Sequence, residues 1–223
     1  MADPKLAFPE LTPVLRARAD ALREALGSGV VVPDEDLDVL FPDAVHEASF
    51  VHGTPVRVTA RIVALAGLGP EDRVLDVGSG AGKFGIVAAA MSGARVRGIE
   101  RDPRLVAVAR EAARRLRSDA TFEEGSFTPA AAEGAHVVYL FNPFTSTAFL
   151  PGTWPGKRRG PRGTAAAERA AAIAAVTSFL ARARKGLRVV TFCGFGGAMP
   201  SSYAKLASET WDDGALEVWR KRS

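Results

Sequence analysis

A glycine-rich turn at residues 76–82 offers the clearest site for ligand chemistry in this sequence. It follows a short apolar stretch, residues 73–77, and contains three glycines at alternate positions, Gly78, Gly80 and Gly82. Glycine lets the backbone turn sharply and approach a ligand with no Cβ in the way. Asp76 begins the turn, where its carboxylate can hold the ammonium of an amino-acid ligand and would repel a pyrophosphate. The spacing also departs from the G-x-G-x-x-G of dinucleotide sites, because Lys83 stands where the third glycine belongs.

A second carboxylate suited to ligand binding, Glu100, ends the next predicted strand, residues 95–100. It lies about 20 residues past the turn, the separation at which an acidic residue meets a ribose in nucleotide-binding folds. A carboxylate there can accept hydrogen bonds from both ribose hydroxyls. The order of strand, Asp76, glycine turn, helix, strand and Glu100 therefore predicts a site for a ligand that carries an ammonium group and a ribose.

The sequence around this turn resembles a known family. Residues 74–84, which read Val-Leu-Asp-Val-Gly-Ser-Gly-Ala-Gly-Lys-Phe, are similar to motif I of the class I S-adenosylmethionine (SAM)-dependent methyltransferases. The stretch from His52 through this motif also resembles small bacterial members and, more distantly, histone-lysine methyltransferases of the Dot1 type. The resemblance covers about residues 50–144 and implies an enzyme, a SAM-dependent transferase, with SAM as its cofactor.

The resemblance also implies cofactor contacts, position by position. Glu100 matches the ribose-binding acid of the superfamily, and Gly125-Ser126-Phe127 falls where the adenine-contacting loop follows the third strand. The usual Asp or Asn partner of the adenine amino group is replaced here by Ser126. We expect the cofactor to contact Phe50, Thr54, Asp76, Gly78, Ser79, Gly80, Gly82, Lys83, Phe84, Glu100, Arg101, Ser126, Phe127, Asn142 and Phe144.

The candidate reaction centre follows the fourth predicted strand, residues 136–141. The sequence Phe141-Asn142-Pro143-Phe144 resembles the (D/N)PP(Y/F) motif of amino-methyltransferases, in which the Asn side chain and a backbone carbonyl accept hydrogen bonds from the target NH2. One proline of that motif is missing, and prolines set the direction of the carbonyl. Asn142 and Phe144 therefore either line the reactive centre or form a strand-ending turn. His52 is either a general base or a helix cap, and the predicted catalytic residues are Asn142, His52 and Tyr203.

The chain from residue 73 onward alternates predicted strands and helices. Strands are predicted at 73–77, 95–100, 121–124, 136–141 and 187–192. Helices are predicted at 83–91, from Pro103 onward with Asp102 as the cap, and at 164–185. Such alternation implies parallel strands joined by right-handed crossovers, with the ligand at their carboxyl ends. Two short strands near the C-terminus, joined by the turn Asp212-Asp213-Gly214, fit the antiparallel last strand that the resemblance implies. The expected fold class is α/β: a Rossmann-like, doubly wound, mostly parallel seven-stranded sheet with an antiparallel last strand.

The N-terminal part is predicted to be a helical extension of this single domain. Residues 11–26 carry apolar side chains at helical spacing, and an acidic segment, 34–40, follows them. Thr54 can cap a helix that has Pro55 at its first position. The predicted organisation is an N-terminal helical extension over 1–49 and a SAM-binding, methyltransferase-like domain over 50–223.

Charge and composition narrow the expected partners. The net charge is +4 and the pI about 9.6, but many arginines lie on one segment, 101–117, as on a solvated helix face. We therefore expect a small-molecule or protein substrate and regard nucleic acid as an unlikely partner. The loop 151–163 is either a mobile lid that binds an anionic substrate or a surface insertion, and it carries Trp154, Lys157, Arg158, Arg159 and Arg162.

Other classes of protein are disfavoured. A lone cysteine, Cys193, and three histidines without metal-ligand spacing predict no metal site. No apolar stretch reaches the length of a membrane helix, and residues 1–6 show no charged-then-apolar signal pattern, so we expect no membrane association and a cytoplasmic protein.

Three functions stay open from the sequence. The leading one is a SAM-dependent methyltransferase that acts on a small molecule or a protein side chain, by in-line displacement at the SAM sulfonium. The second is a SAM-cyclising enzyme of the azetidine-2-carboxylate synthase type, in which the cofactor's own amine attacks its Cγ and methylthioadenosine leaves. The third is a non-catalytic nucleic-acid-binding protein on a SAM fold.

Overall fold

The computed structural model describes residues 6–46, 53–144, 164–212 and 214–223. Its N-terminal part contains α1 (Pro13–Gly27), α2 (Asp34–Asp38), a helical turn at 43–46, and α3 (Val56–Ala66). Strands and helices then alternate as β1 (Arg73–Val77), α4 (Lys83–Ser92), β2 (Arg95–Glu100), α5 (Pro103–Arg115), β3 (Thr121–Glu124), a 3-10 turn (Ala130–Ala132), β4 (Val137–Phe141), α6 (Thr164–Arg182) and β5 (Arg188–Phe192). The last two strands are β6 (Tyr203–Trp211) and β7 (Gly214–Lys221).

The strands form one seven-stranded sheet in the order β3-β2-β1-β4-β5-β7-β6. The first five in this order are parallel, and β7 runs antiparallel between β5 and β6. The predicted fold class is therefore confirmed. We call the end of the sheet where β1 to β5 finish the carboxyl end, and the opposite end, where they begin, the amino end.

Side chains along each strand alternate between the two faces of the sheet. From β1, Val74 packs in a core with helices α1 to α5, whereas Leu75 and Val77 face the side covered by α6. Asp76 has the parity of Val74, and it lies beside Tyr139 of β4 in the sheet. The α3 and α4 side of the carboxyl end is consequently where the polar side chains of the cofactor motif project.

The N-terminal helices are part of this core. Leu22, Leu26, Leu37 and Leu40 are buried in the same cluster as α3, α4 and α5. The predicted boundary between residues 49 and 50 lies outside the described residues, so the division into an extension and a domain stays a prediction. Burial of these apolar side chains against the sheet-covering helices is nonetheless what fixes the position of α2.

Local sequence signals explain several element ends. Asp102 caps α5 as predicted, because its carboxylate accepts the backbone N–H of Arg104 at 3.0 Å. In the C-terminal hairpin Trp211 pairs with Gly214, the register that the predicted turn requires. Among the described residues, no helix has both the length and the apolar character to cross a membrane.

Candidate cofactor site

The three glycines of the turn have different surroundings. All three have positive φ, which favours glycine over any other residue. A Cβ at Gly80 would meet nothing within 4 Å, whereas one at Gly78 would lie 3.1 Å from Cβ of Pro143. A Cβ at Gly82 would collide with Phe122 and Ala109 at 2.7 and 2.8 Å. Gly80 thus faces open space suited to a ligand, and Gly82 serves the close packing of α4 on β3 and α5.

Asp76 is a buried acid whose second oxygen makes no hydrogen bond to a described residue. Its residue is 3% exposed, and Oδ2 makes no hydrogen bond within the described part of the chain. Burial, followed by the nearby charge of Glu100, raises the pKa of Asp76 to about 8. Ser79 Oγ, in the same turn, is also buried without a hydrogen bond to any described residue. Since buried polar groups are nearly always paired, both atoms indicate a place for ligand N–H or O–H donors.

Glu100 links the glycine turn to α5. Its Oε2 accepts the N–H of Gly80 at 3.2 Å, and its Oε1 accepts the N–H of Asp102 at 2.9 Å. Each carboxylate oxygen keeps further acceptor capacity, so the group can still receive ribose hydroxyls. Arg101, predicted to contact the cofactor, has an exposed side chain at this end of the sheet.

Tyr139, which the sequence did not single out, lies beside Asp76 in the sheet. Its hydroxyl lies 2.7 Å from Thr54 Oγ1, and its ring stacks on Phe84 with 3.8 Å between centroids. The prediction that Thr54 caps α3 is wrong, because the cap position is Pro55 and the Thr54 hydroxyl turns into the core instead. The one available signal was a polar ring in an otherwise apolar strand. Its position next to Asp76 depends on strand pairing, which the sequence alone does not supply.

Lys83 forms a buried ion pair with the N-terminal helix α2. Its Nζ lies 2.6 Å from Asp34 Oδ1 and 2.8 Å from Asp38 Oδ1, with Lys83 and Asp38 both under 10% exposed. Asp34 Oδ1 also accepts the N–H of Val56 at 3.0 Å. The predicted contact between Lys83 and the cofactor is therefore corrected: the ammonium is held by α2. We call this group of Lys83, Asp34 and Asp38 the α2 clamp; it joins the starts of α3 and α4.

The strand-ending residues of β4 lie against the glycine turn. Asn142 has φ +38°, a conformation that Asn tolerates better than most residues, and its N–H donates to the carbonyl of Gly194 at 2.9 Å. Pro143 is the neighbour of Gly78 described above. Phe144 packs with the α6 side of the core. The predicted reaction centre and the predicted cofactor turn are thus adjacent.

The adenine-loop candidates lie on the α6 side of the sheet. Phe127 packs edge-on against Phe179 with 5.6 Å between ring centroids, and Ser126 is exposed. The N–H of Gly125 donates to the carbonyl of Glu100 at 2.9 Å, which holds the start of this loop next to the ribose candidate.

The prediction that Tyr203 is catalytic is wrong. Tyr203 pairs with Lys221, and Arg220 pairs with Arg188 at the start of β5, so Tyr203 lies at the amino end of the sheet. The length of β5, about 13 Å, separates that end from the reaction centre. The Tyr203 hydroxyl donates to the carbonyl of Leu180 at 3.1 Å. It is a core residue that anchors α6.

Several predicted residues lie outside the described residues: Phe50, His52 and the basic loop 151–163 with Trp154, Lys157, Arg158, Arg159 and Arg162. Their roles stay predictions. Within the described ranges no cluster of three or more His, Cys, Asp or Glu side chains has the arrangement of a metal site.

Comparison with known proteins identifies this arrangement. Residues 68–138, from the approach to β1 into β4, match the family model of a methyltransferase domain. An RNA methyltransferase from Salinibacter ruber, solved with S-adenosyl-L-homocysteine, shares the fold with a TM-score of 0.53 and 24% identity. That similarity covers 76% of this chain and 94% of the other. Residues 68–138 thus match a methyltransferase domain, and the chain has the fold of the class I SAM-dependent methyltransferases.

Other solved structures have a similar fold. MtNAS, solved with MTA and tNA, has a TM-score of 0.55 and 11% identity over 94% of this chain and 73% of its own. TrmN from Thermus thermophilus has a TM-score of 0.51 and 20% identity over 74% of this chain and 48% of its own. No curated protein is detectably similar to this chain in sequence.

These relatives correct one prediction and support another. The view that nucleic acid is an unlikely partner is contradicted, because the Salinibacter ruber protein of the same fold is an RNA methyltransferase. SAM as the cofactor is confirmed by the family model and by relatives solved with SAM or its demethylated product. The residues fit that cofactor: Gly80 opens into free space, and the Asp76 oxygen that no described residue pairs with suits its ammonium.

Proposed function

We propose that this methyltransferase transfers the methyl group of SAM to an amino nitrogen of RNA. The observation that carries the proposal is the contact of the Asn142-Pro143 turn with the glycine turn, which brings an acceptor-binding motif beside the cofactor motif. When bound, SAM supplies a methyl group on a positively charged sulfonium. The protein's own residues then need to hold the cofactor, aim the attacking nitrogen and bind the polyanion.

Asp76, Gly80 and Glu100 are proposed to hold the cofactor. An ammonium placed at Asp76 Oδ2 would pair with a buried carboxylate, which favours the ionised form of that acid and releases its proton. Glu100 would accept the ribose hydroxyls while its backbone donors keep the carboxylate in place. The open space at Gly80 leaves room for the cofactor chain between them.

Asn142 is proposed to orient the acceptor. Its side-chain oxygen can accept one N–H of an amino group and so direct the nitrogen lone pair along the in-line path. The resemblance of Asn142-Pro143-Phe144 to the motif of amino-methyltransferases supports nitrogen as the atom methylated. The left-handed backbone of Asn142, held by Gly194, fixes where this side chain starts.

Three arginines around the carboxyl end support a polyanionic substrate. Arg57, in the first turn of α3, lies over the Trp211 ring at 5.3 Å; Arg101 follows β2; and the Arg169 guanidinium lies beside Gly196, after β5. None of the three forms an ion pair with a described residue. Unpaired guanidinium groups around a reaction centre suit the phosphates of a nucleic acid, which provide most of the affinity in such complexes.

The test is methyl transfer from radiolabelled SAM to total RNA. We expect label in RNA that is lost after ribonuclease treatment and is absent with the Gly80→Val variant. The acceptor atom follows from nucleoside analysis of the digested product. Label found only in protein, or no label with any RNA while SAM still binds, would overturn the RNA assignment.

A second candidate is cyclisation of SAM. Its own amine nitrogen would bond to Cγ, the Cγ–S bond would break, and methylthioadenosine would leave with the electron pair on sulfur. The observation that favours it is the reach of the similarity to MtNAS, solved with MTA, which covers 94% of this chain against 76% for the RNA methyltransferase. Incubation with SAM alone separates the two: methylthioadenosine formed without acceptor supports cyclisation, and S-adenosylhomocysteine formed only with RNA supports methyl transfer.

A further inference from the structure

A second polar site lies at the amino end of the sheet, opposite the cofactor. A cavity of about 300 Å³ is lined there by Asp72, His136, Arg184, Gly186, Arg188 and Arg220. Three arginines against one aspartate give the lining an excess of positive charge. The volume is at the lower limit for small-ligand sites, so it suits a small ligand or one chemical group of a larger one.

The acid in this cavity is already paired. Asp72 Oδ2 accepts the N–H of Gly69 at 3.0 Å, and Oδ1 is paired with the Arg188 guanidinium. Arg188 also donates to the carbonyls of Ala66 and Gly67 at the end of α3. Asp72 and Arg188 therefore neutralise each other and fasten α3 to the sheet. The remaining charge of the cavity belongs to Arg184 and Arg220.

Most guanidinium N–H donors of these two arginines make no hydrogen bond to a described residue. Arg184 makes one hydrogen bond, from Nη2 to the carbonyl of Ala135 at 3.2 Å. Arg184 and Arg220 are both exposed. Arg220 has no hydrogen bond or ion pair to any described side chain. It stands directly opposite Arg188 in the antiparallel pairing of β5 and β7. Because Arg188 is paired with Asp72, the charge of Arg220 is left for a bound anion to neutralise.

His136 adds a third donor. Its Nδ1 accepts the backbone N–H of Arg73 at 3.3 Å and lies 3.6 Å from Asp72 Oδ1. With Nδ1 used as an acceptor, Nε2–H is the donor that the ring offers to a ligand. Arginine and imidazole N–H groups converging on a small cavity form the donor set that proteins use for phosphate oxygens.

We propose that this amino-end cavity binds a phosphate group through Arg184 and Arg220, with His136 as a further donor. The group is either a phosphodiester of the bound nucleic acid or a free phosphate. This site is separate from SAM chemistry and is measured without SAM, so its failure leaves the proposed function untouched.

The experiment compares three forms of the full chain at fixed ionic strength, because exposed charges are sensitive to salt. The test variant is Arg184→Gln with Arg220→Gln. The matched control, Arg182→Gln with Arg222→Gln, removes the same charge from exposed arginines near the same end but outside the cavity lining. SAM affinity, measured for each, is expected to be unchanged and checks that the variants fold.

Inorganic phosphate titrated by calorimetry should bind the wild-type chain and the control alike, and the test variant about ten-fold or more weakly. Equal phosphate affinity in all three forms, or no phosphate binding by the wild-type chain, overturns the proposal. A labelled single-stranded RNA identifies the source. If excess phosphate competes with it and the test variant binds it more weakly than the control, the cavity takes a phosphodiester; if phosphate binds while RNA binding is unaffected, the cavity takes free phosphate.

Discussion

Two aspartates near β1 differ in whether the protein provides partners for their carboxylate oxygens. Asp72, just before the strand, has both carboxylate oxygens engaged, by the N–H of Gly69 and by Arg188. Asp76, within the strand, is more deeply buried and leaves Oδ2 without a partner among the described residues. The first is at the amino end and completes the protein's own packing. The second is at the carboxyl end, and its missing partner is the ammonium we assign to the cofactor.

The contrast shows that residue type alone does not mark a functional site. Both ends of the sheet carry acids, arginines and glycines with positive φ. The two ends differ in whether the protein itself provides hydrogen-bond partners for these polar groups. The difference matters because a buried polar group without a partner costs about 1 to 3 kcal/mol, which a bound ligand can recover. Each variant at the carboxyl end is therefore compared with a matched variant at the amino end.

The largest effect is expected from filling the space at the glycine turn. Gly80→Val should abolish SAM binding, an affinity loss of about 100-fold or more, because the added side chain occupies the open space at the glycine turn. Gly186→Val is the matched control, since Gly186 also has positive φ and an open Cβ position, but at the amino end. Calorimetry should find near wild-type SAM affinity for the control. Equal losses in both variants would mean that backbone strain, rather than the cofactor space, is responsible.

The next effect concerns polar groups placed for chemistry. Asn142→Gly removes the side chain while keeping a residue that tolerates φ +38°, and it should lower the single-turnover rate about 100-fold with SAM affinity retained. Tyr203→Phe, at the amino end, should leave that rate unchanged. If the Asn142 variant turned over at the wild-type rate, the residue would be only a strand-ending turn.

The third effect is the pH dependence of stability. Because the pKa of Asp76 is raised to about 8 in the folded chain, the folded state binds more protons than the unfolded state between about pH 4 and pH 8. The contribution of Asp76 is therefore favourable at low pH and falls as the pH rises through this window, by up to about 1.4 kcal/mol per pH unit. Asp76→Asn should flatten this slope and raise the free energy of unfolding at pH 8.

Asp72→Asn is the matched variant at the amino end and should destabilise the protein, whereas Asp76→Asn should stabilise it. It should lower the free energy of unfolding at pH 7 by about 1 to 3 kcal/mol, because Arg188 loses its partner. Urea unfolding of the cofactor-free variants from pH 5 to pH 8 provides the comparison. A wild-type slope retained in Asp76→Asn would assign the pH dependence to other groups.

The smallest effect is expected from the arginines at the surface. Arg57→Gln with Arg169→Gln should raise KM for RNA several-fold and weaken its salt dependence, with kcat nearly unchanged. Arg182→Gln with Arg222→Gln changes charge equally at the amino end and should alter KM less. Identical KM values for the two double variants would show that the carboxyl-end arginines do not contact the substrate.

The sequence predicted those features that depend on neighbouring residues. The strand β1, the glycine turn, Glu100 and the cap at Asp102 are local patterns, and their placement follows once parallel strands are inferred. The (D/N)PP(Y/F)-like turn at 142–144 was placed correctly at the carboxyl end for the same reason. In each case the side chains that act together are brought together by the shared ends of parallel strands.

The errors concern contacts between distant parts of the chain. Thr54 and Tyr139 are 85 residues apart, and their hydrogen bond replaces a local cap that looked equally reasonable. Tyr203 was predicted to be catalytic, but it lies at the other end of the sheet. The direction of β6 is set by its pairing with β7, which the pattern of apolar residues does not reveal. Lys83 sits in the cofactor motif by sequence, yet two carboxylates of α2 bind its ammonium.

The α2 clamp sets a limit on how short this enzyme can be made. A fragment that begins at residue 50 would retain the whole glycine turn but would leave the Lys83 ammonium buried or newly exposed without Asp34 and Asp38. Loss of one side of a buried ion pair costs about 3 to 5 kcal/mol, a large part of the stability of a domain. The smallest autonomous unit therefore starts before Asp34, and a fusion partner or affinity tag belongs upstream of α1, never at the apparent start of the methyltransferase motif.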